Sequence, residues 1–109
     1  ATQSGFGRSG SVNWDTTPKT ATFTGVSGNG YFVNTTAGVV TANLPASPSA
    51  GDIMAVVDYA GTADTNNITI GRNGHKIEGG DSDLTIDVNR AAFGLVYYNV
   101  ANGWLFIEK

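Results

Sequence analysis

Short alternations of apolar and polar residues, separated by turn-forming residues, run through most of the chain. In Thr20–Gly25, for example, Ala21 and Phe23 fall on one side of an extended strand and threonines fall on the other. After residue 11, turn signals recur about every eight to twelve residues, a spacing typical of all-β sandwiches and barrels. No segment shows apolar residues at i, i+3, i+4 and i+7, so no amphipathic helix is predicted.

The first half of the chain predicts a hairpin followed by a central strand. Tyr31–Thr35 and Val39–Leu44 flank Thr36-Ala37-Gly38, which we interpret as a hairpin turn. Residues 45–51 (PASPSAG) are expected to form a surface loop, because proline cannot donate a hydrogen bond to a β-ladder. Ile53–Val57 is apolar at every position, which predicts a central strand covered on both faces.

The second half contains two Asn-Gly pairs, the turn signal of tight β-hairpins. Asn73-Gly74 follows the strand-like segment Ile68–Ile70. Asn102-Gly103 separates Phe93–Tyr98 from Trp104–Ile107, and this turn fixes the register that keeps the aromatic residues of the last strand on one face.

The predicted fold is all-β: a single antiparallel β-sandwich or jelly-roll-like barrel over residues 11–109. Between the two Asn-Gly pairs, Leu84, Ile86 and Val88 alternate with polar residues and are predicted to face the core. Residues 1–10 show no period of two or of 3.6 and are interpreted as a flexible N-terminal arm. No internal repeat at a solenoid period is visible.

Composition excludes several classes of function. Only 14% of the 109 residues are charged, against about 25% in a usual soluble domain, so the surface must consist largely of Thr, Ser, Asn and Gly. Such a surface suits a protein that packs against neighbours. The net charge of −3 disfavours a nucleic-acid partner, because phosphate binding needs clustered Lys and Arg. Without cysteine, disulfides and thiolate zinc sites are excluded. No apolar run reaches the roughly 18 residues of a membrane-spanning helix, so no membrane partner is predicted.

Candidate catalytic and metal-binding residues are few. His75, the only histidine, follows an Asn-Gly turn and is predicted to lie in solvent rather than to act as a catalytic base. Most carboxylates, Asp52 and Asp58 among them, fall at strand ends or in turns, where Asp accepts backbone N–H bonds. A glycosidase-type pair of carboxylates, contributed by different sheets, is an alternative that the sequence leaves open. Gly79–Asp83 places two carboxylates two residues apart, which leaves a calcium site as an alternative. We predict no catalytic, cofactor-binding or metal-binding residues.

Aromatic side chains are candidates both for the core and for contacts with a partner. Glycan-binding modules stack sugars on exposed Trp and Tyr, and protein interfaces use the same residue types as anchors. Tyr97 and Tyr98 are adjacent, so one ring must face the interior and the other solvent. The outward ring is a candidate contact residue, while at least half of the aromatic rings are expected in the core.

A set of short motifs covers nearly the whole chain after the arm. It begins with VNW at 12–14, TATF at 20–23, GYFVNTTAG at 30–38, LPA at 44–46 and SAGDI at 49–53. It continues with DYAGT at 58–62, NNITI at 66–70, RNG at 72–74, LT at 84–85, LVY at 95–97 and GW at 103–104. In this combination the chain resembles a β domain that recurs in virion proteins of tailed phages, among them phages of cyanobacteria and other aquatic bacteria. That domain occurs both inside long fibre-like proteins and in short structural proteins.

The resemblance implies a non-enzymatic structural protein of the virion. One short domain without a shaft sequence fits a capsid decoration (cement) protein, which binds the major capsid protein on the outer surface of the head. The class suggests a homotrimer at local threefold positions, where many weak contacts summed by symmetry stabilise the shell. The alternative is a tail fibre or spike module that binds host surface glycan through exposed Tyr and Trp. A small glycan-active enzyme is a third class, which the missing motifs disfavour.

The arm at residues 1–10 is the expected contact with the capsid. We predict that it adds as a strand to an exposed sheet edge of the shell protein, with Phe6 as an apolar anchor. Arg8 is expected to pair with a carboxylate of the shell. An unstructured terminus without this role is the alternative interpretation.

Overall fold

The computed structural model of the chain describes residues 3–4, 7–8 and 12–108. The strands of this part are β1 (Gln3–Ser4), β2 (Gly7–Arg8), β3 (Asn13–Lys19), β4 (Phe23–Thr24), β5 (Asn29–Val33), β6 (Val40–Asn43), β7 (Ile53–Asp58), β8 (Ile68–Gly71), β9 (Leu84–Ile86), β10 (Ala92–Tyr97) and β11 (Trp104–Glu108). The all-β class predicted from the sequence is confirmed. The described residues include no helix long and apolar enough to cross a membrane.

Apart from a small β1–β2 hairpin, the strands build two mixed sheets. One has the order β11-β10-β7-β5-β3, and the other has the order β4-β6-β8-β9. The strands β3, β5 and β7 run parallel, as do β4, β6 and β8, whereas β9, β10 and β11 join their sheets antiparallel. The predicted purely antiparallel arrangement was therefore wrong. Neither sheet closes on itself, and the sandwich or jelly-roll detail stays a prediction.

Parallel pairing arises because the chain crosses to the opposite sheet after each of its first long strands. It passes from β3 to β4, from β5 to β6 and from β7 to β8, each time changing sheet. Successive two-strand turns therefore stack on one another as in a short β-solenoid, in which each turn contacts its neighbours. The turns differ in length, since Asn13 pairs with Asn29 whereas Gly30 pairs with Ala55 in the next turn. This unequal spacing explains why no repeat is visible in the sequence.

Residues 36–38 do not close the predicted hairpin. The strand before them ends at Val33 in one sheet, and the strand after them begins at Val40 in the other. The segment instead turns between the sheets, with the Gly38 N–H donating to the Thr35 carbonyl at 3.2 Å. Both flanking strands carry buried apolar residues, Val33 and Val40 among them, and these meet in one core rather than pairing edge to edge.

Two strand boundaries differ from the sequence-based prediction. Of the predicted strand Thr20–Gly25, only Phe23–Thr24 is a strand, and the Gly25 N–H continues the pairing by donating to the Asn43 carbonyl at 2.7 Å. Asn13–Lys19 forms a strand that the alternation did not reveal because most of its residues are exposed. Val88 is 63% exposed rather than buried. The reason is that β9 ends at Ile86 and the chain then turns away.

Of the two tight hairpins predicted from Asn-Gly pairs, the structure contains one. Asn102-Gly103 joins two paired antiparallel strands as predicted, with Tyr97 opposite Trp104. Gly103 has a φ of 72°, and a Cβ there would collide with the Lys76 carbonyl. Asn73 and Gly74 also take positive φ, 51° and 90°. Their turn, however, lies inside the long connection between β8 and β9, so the hairpin predicted directly after Ile68–Ile70 was wrong.

One core cluster draws its residues from both sheets. Its buried members are Tyr31, Val33, Val40, Ala42, Leu44, Met54, Val56, Ile68, Ile70, Ile77, Ile86, Leu95, Tyr97 and Trp104. As predicted, Ile53–Val57 forms a central strand, flanked by β10 and β5. Trp104 is fully buried and packs edge to face on Tyr97, with 5.5 Å between the ring centroids.

Candidate functional site

The predicted capsid-contact residues lie at the margin of what the structure describes. Phe6 is outside the described residues. Arg8 belongs to β2, whose backbone pairs with β1 through Gln3 opposite Arg8 and Ser4 opposite Gly7. The predicted contacts of Phe6 and Arg8 with a shell protein stay predictions.

His75 is a structural contact rather than a solvent-exposed residue. Its side chain is half-buried, and its Nε2 lies 2.9 Å from the Ala46 carbonyl oxygen. The imidazole also meets the Tyr97 ring edge to face, with 5.6 Å between the centroids. His75 thus connects the turn after β8 with the proline-containing loop before β7.

The carboxylates of the loop at 79–83 are engaged by groups of the chain itself. Asp81 Oδ1 lies 2.8 Å from Lys76 Nζ and 3.8 Å from a guanidinium nitrogen of Arg72. The hydrogen bond and charge of Lys76, with the charge of Arg72, lower the pKa of Asp81. Asp83 Oδ1 accepts the Arg72 backbone N–H at 3.0 Å. Within the described part of the chain, no group of three or more His, Asp or Glu residues could hold a metal ion. These contacts disfavour the calcium alternative.

Asp58 is a fully buried carboxylate at the end of β7. Its Oδ1 accepts backbone N–H bonds from Gly61 at 3.1 Å and Thr62 at 3.4 Å. Its Oδ2 accepts bonds from Ala63 at 3.1 Å and Arg90 at 3.0 Å. Burial by itself raises the pKa of a carboxyl, but these backbone donors stabilise the anion and hold the pKa of Asp58 below its usual value. The carboxylate therefore ties the loop after β7 to the loop before β10.

A second set of polar contacts stabilises the same end of the molecule. The Thr35 hydroxyl is buried and lies 2.7 Å from the Thr62 hydroxyl. The Asn66 side-chain amide donates to the Thr35 carbonyl at 2.8 Å, and the Asn67 amide donates to the Ala63 carbonyl at 2.7 Å. The loop between β5 and β6 is thereby bonded to the loop between β7 and β8. These polar side chains therefore connect loops that are distant in the sequence.

Three aromatic side chains form a row on the outer face of the five-stranded sheet, and we call Trp14, Phe32 and Tyr59 the aromatic shelf. The Trp14 and Phe32 ring centroids are 5.1 Å apart, and those of Phe32 and Tyr59 are 6.3 Å apart with nearly perpendicular planes. Trp14 is 40% exposed and Tyr59 is 37% exposed. Trp14 packs against Gly30, its neighbour on β5, where a Cβ would lie only 2.6 Å from Trp14 Cε3. Glycine at position 30 therefore makes room for the indole.

A groove of about 300 Å³ runs along the shelf. It is lined by Thr16, Pro18, Phe32 and Tyr59. The Asn34 amide is fixed beside it, because Asn34 Oδ1 accepts the Thr36 backbone N–H at 2.9 Å while Nδ2 donates to the Tyr59 hydroxyl at 3.1 Å. Since the Tyr59 oxygen accepts this bond, its own hydrogen can be donated to a ligand.

A larger cleft of about 650 Å³ opens beside β9, and we call it the β9 cleft. It is lined by residues 84–92 and Phe106. Its apolar lining residues include Leu84, Ile86 and Val88. Among the described strands, β9 pairs only with β8, so it is an edge strand of its sheet.

The prediction for the adjacent tyrosines is confirmed, whereas the shelf was not foreseen as a group. Tyr97 is 6% exposed and Tyr98 is 58% exposed. Trp14, Phe32 and Tyr59 come from three separate segments that only the parallel pairing of β3, β5 and β7 brings together. The sequence signals only one member of the shelf. Tyr31 and Val33 are buried, so the alternation along the strand places Phe32 between them on the opposite, outward face.

The chain matches no family model and none of the curated proteins with which it was compared.

Proposed function

We propose that this chain is a non-enzymatic structural protein of a tailed-phage virion. In this proposal it is a capsid decoration protein that binds the major capsid protein on the outer surface of the head as a homotrimer. Its many weak contacts, repeated by the symmetry of the shell, stabilise the head. A position in a tail fibre or spike is the alternative within the same virion.

The observation that carries the proposal is the structural role of the motif residues on which the resemblance to phage proteins is based. Asp58 and Thr62 of the DYAGT motif bond to the loops around them, and Thr35 of the GYFVNTTAG motif bonds to Thr62. The Tyr31 hydroxyl accepts the Val26 backbone N–H at 2.8 Å, and Trp104 is fully buried. Because these motif residues determine the fold rather than line a reaction site, the resemblance supports a shared structural domain.

The arrangement of the sheets suits a packing module. We infer that the two sheets pack face to face as a sandwich, since buried residues of both belong to one core cluster. The loops at the Asp58 end are cross-bonded by buried polar groups, which resist local opening. A rigid module of this kind transmits load between neighbouring capsid subunits without unfolding.

The β9 cleft supports a contact with the shell. Unpaired main-chain groups of an edge strand accept an added strand, and neighbouring apolar pockets bind alternate side chains of that strand. Leu84 and Ile86 on the edge strand, with Phe106 across the cleft, provide such pockets.

Copy number tests the proposal directly. The chain is quantified by mass spectrometry in purified virions that encode it, relative to the major capsid protein. A ratio near one copy per shell subunit supports the decoration protein. A ratio of a few copies per hundred shell subunits places the chain on the tail or at a vertex and contradicts capsid decoration. Absence from the particle contradicts any virion function.

Deleting residues 1–10 tests the arm. We expect the truncated chain to fold normally but to lose binding to empty shells, because strand addition and the Phe6 anchor are removed. Sedimentation of the chain with shells measures binding, and the thermal transition of the free chain measures folding. Phe6→Ser is expected to weaken binding and Ser9→Ala, its control, to leave it unchanged. Full binding by the truncated chain refutes the role of the arm.

A further inference from the structure

We infer that the aromatic shelf is a binding site for neutral carbohydrate, with one pyranose ring seated in the groove between Phe32, Tyr59 and the edge strand β3. This inference goes beyond capsid decoration, which requires no small ligand. It rests on the chemistry of the groove, its size and the uncharged residues that line it.

The chemistry of the groove matches a sugar ring. A pyranose has an apolar face of C–H groups and a rim of hydroxyls, so it needs an aromatic surface beside fixed hydrogen-bonding groups. Phe32 and Tyr59 provide the aromatic surface, and Trp14 extends it at 5.1 Å from Phe32. The Tyr59 hydroxyl is held by Asn34 with its hydrogen free to donate, and the Thr16 side chain adds a second hydroxyl at the groove. Tyr59 is therefore already oriented before a ligand binds.

The size of the shelf favours a small ligand over a second protein surface. The exposed parts of Trp14 and Tyr59, 40% and 37%, amount to about 200 Å² if each full side chain offers roughly 250 Å². A stable protein interface covers about 800 Å² on each partner. The groove volume of about 300 Å³ lies at the lower limit of small-molecule pockets, which run from roughly 300 to 1,000 Å³.

The charges around the shelf favour a neutral ligand. The charged residues of β3 are Asp15 and Lys19, and they pair with each other at 3.3 Å. Lys19 Nζ also lies over the Phe23 and Tyr31 rings, 5.5 Å and 5.6 Å from their centroids, toward the core side of the strand. Arg90 donates to the Tyr59 backbone carbonyl and keeps its positive charge, but it does not line the groove. The residues that line the groove are uncharged and offer no counter-charge to a sugar acid or a phosphorylated glycan.

Nuclear magnetic resonance of the full chain tests the inference. The protein has two tryptophans, of which Trp14 is exposed and Trp104 is buried, so its two indole N–H signals report the shelf and the core separately. Cellohexaose, maltohexaose, mannohexaose and chitohexaose are titrated as neutral probes and hexagalacturonate as the charged one. We expect at least one neutral probe to shift the Trp14 signal, with a dissociation constant on the order of 1 mM, while the Trp104 signal stays fixed.

Variants connect the binding to the shelf. Trp14→Ala should weaken binding about tenfold and Tyr59→Phe, which removes only the hydroxyl, about fivefold. Because Trp14→Ala lacks the indole reporter, its binding is followed by the backbone N–H signals of Phe32 and Tyr59. Tyr98→Phe and Tyr98→Ala are the matched controls, since Tyr98 is 58% exposed outside the shelf, and they should leave binding unchanged. An unshifted Trp104 indole signal shows that each variant is folded.

Several outcomes overturn the inference. They are no shift with any neutral probe at about 10 mM, ten times the expected dissociation constant, equal weakening by the Tyr98 variants, and equal or tighter binding of hexagalacturonate. A Trp14 signal that moves on dilution without any sugar assigns the shelf to contacts between copies of the chain and also refutes it. Failure of sugar binding leaves capsid decoration untouched, because the copy number and shell binding are measured independently.

Discussion

The inner and outer faces of the five-stranded sheet are both rich in apolar residues, yet they serve different purposes. Inward-facing Tyr31, Val33 and Val56 are almost completely buried, at 3%, 0% and 2% exposure. On the outer face, Trp14 keeps 40% of its surface in solvent, and Phe32 is only partly covered. The inner face therefore contributes mainly to stability, whereas on the outer face Trp14 and part of Phe32 stay accessible to a partner although Ile53 and Ala55 of β7 are buried there.

The comparison shows what a two-residue period does and does not reveal. Alternation tells which residues share a face, but where both faces are apolar it cannot say which one is the core. Val56 and Val57 are chemically identical neighbours, and only their opposite directions on β7 distinguish a core residue from a half-buried one. Polarity does not identify the surface either, since Asp58 is as buried as its apolar neighbours on the inner face.

The largest effect is expected from Asp58→Asn on the inner face. The amide keeps the size of the side chain but brings N–H groups toward backbone donors that need an acceptor. We expect the free energy of unfolding to fall by about 3 kcal/mol. Urea denaturation measures it, with Asp52→Asn as a control because Asp52 is less buried and accepts the Ser49 backbone N–H. Equal losses for the two variants contradict the special role of Asp58.

The two valines test the comparison most directly. Val56→Ala should lower the free energy of unfolding by about 2 kcal/mol, because it leaves a cavity in the core. Val57→Ala, one residue away on the half-buried outer face, should cost less than about 1 kcal/mol. The midpoint of urea denaturation at constant slope gives both values. A larger loss for Val57→Ala reverses the assignment of the two faces.

Acid should weaken the inner face through Asp58. The pKa of Asp58 lies below its usual value of 3.8, so the unfolded chain takes up this proton more readily than the folded chain. The stabilisation from Asp58 is therefore complete above about pH 4 and is lost as the pH falls through the folded pKa. Denaturation measured from pH 6 downward should show this loss.

Salt separates Asp58 from the exposed carboxylates. The pKa of Asp15 is lowered by the Thr17 backbone N–H and Lys19, and that of Asp81 by Lys76, but screening weakens such surface pairs. The acid loss that persists at high salt should therefore belong to Asp58. The carboxyl-carbon resonance of Asp58 reports its titration directly, and a midpoint above 3.8 contradicts the expectation.

The smallest effect on stability is expected from Tyr59→Phe on the shelf. Its hydrogen bond with Asn34 is exposed, so its loss should change the free energy of unfolding by less than about 0.5 kcal/mol. Tyr98→Phe should behave in the same way. A stability loss as large as that of Val56→Ala shows that the shelf supports the fold rather than a ligand.

The sequence predicts which residues share a strand face and where turns lie better than it predicts which strands pair. Strand β7 and the β10–β11 hairpin follow from local signals, an apolar run and an Asn-Gly turn. The parallel pairing of β5 with β7 is not encoded locally, because it depends on which sheet the chain enters after each turn. The same limit applies to the sites. The turn role of Asp58 toward Gly61 is a local signal, whereas its bond to Arg90 spans 32 residues.

The two ends of the stack of turns differ in how their strands pair. At the β3–β4 end the last pairings are parallel, so a further turn of the same kind could continue both sheets. At the other end β9, β10 and β11 reverse direction and terminate the winding. Lengthening by duplication is therefore compatible with this architecture at one end and inside the coil, where each turn needs only its neighbours. The antiparallel strands act as a stop, and any family of longer variants should retain them unchanged.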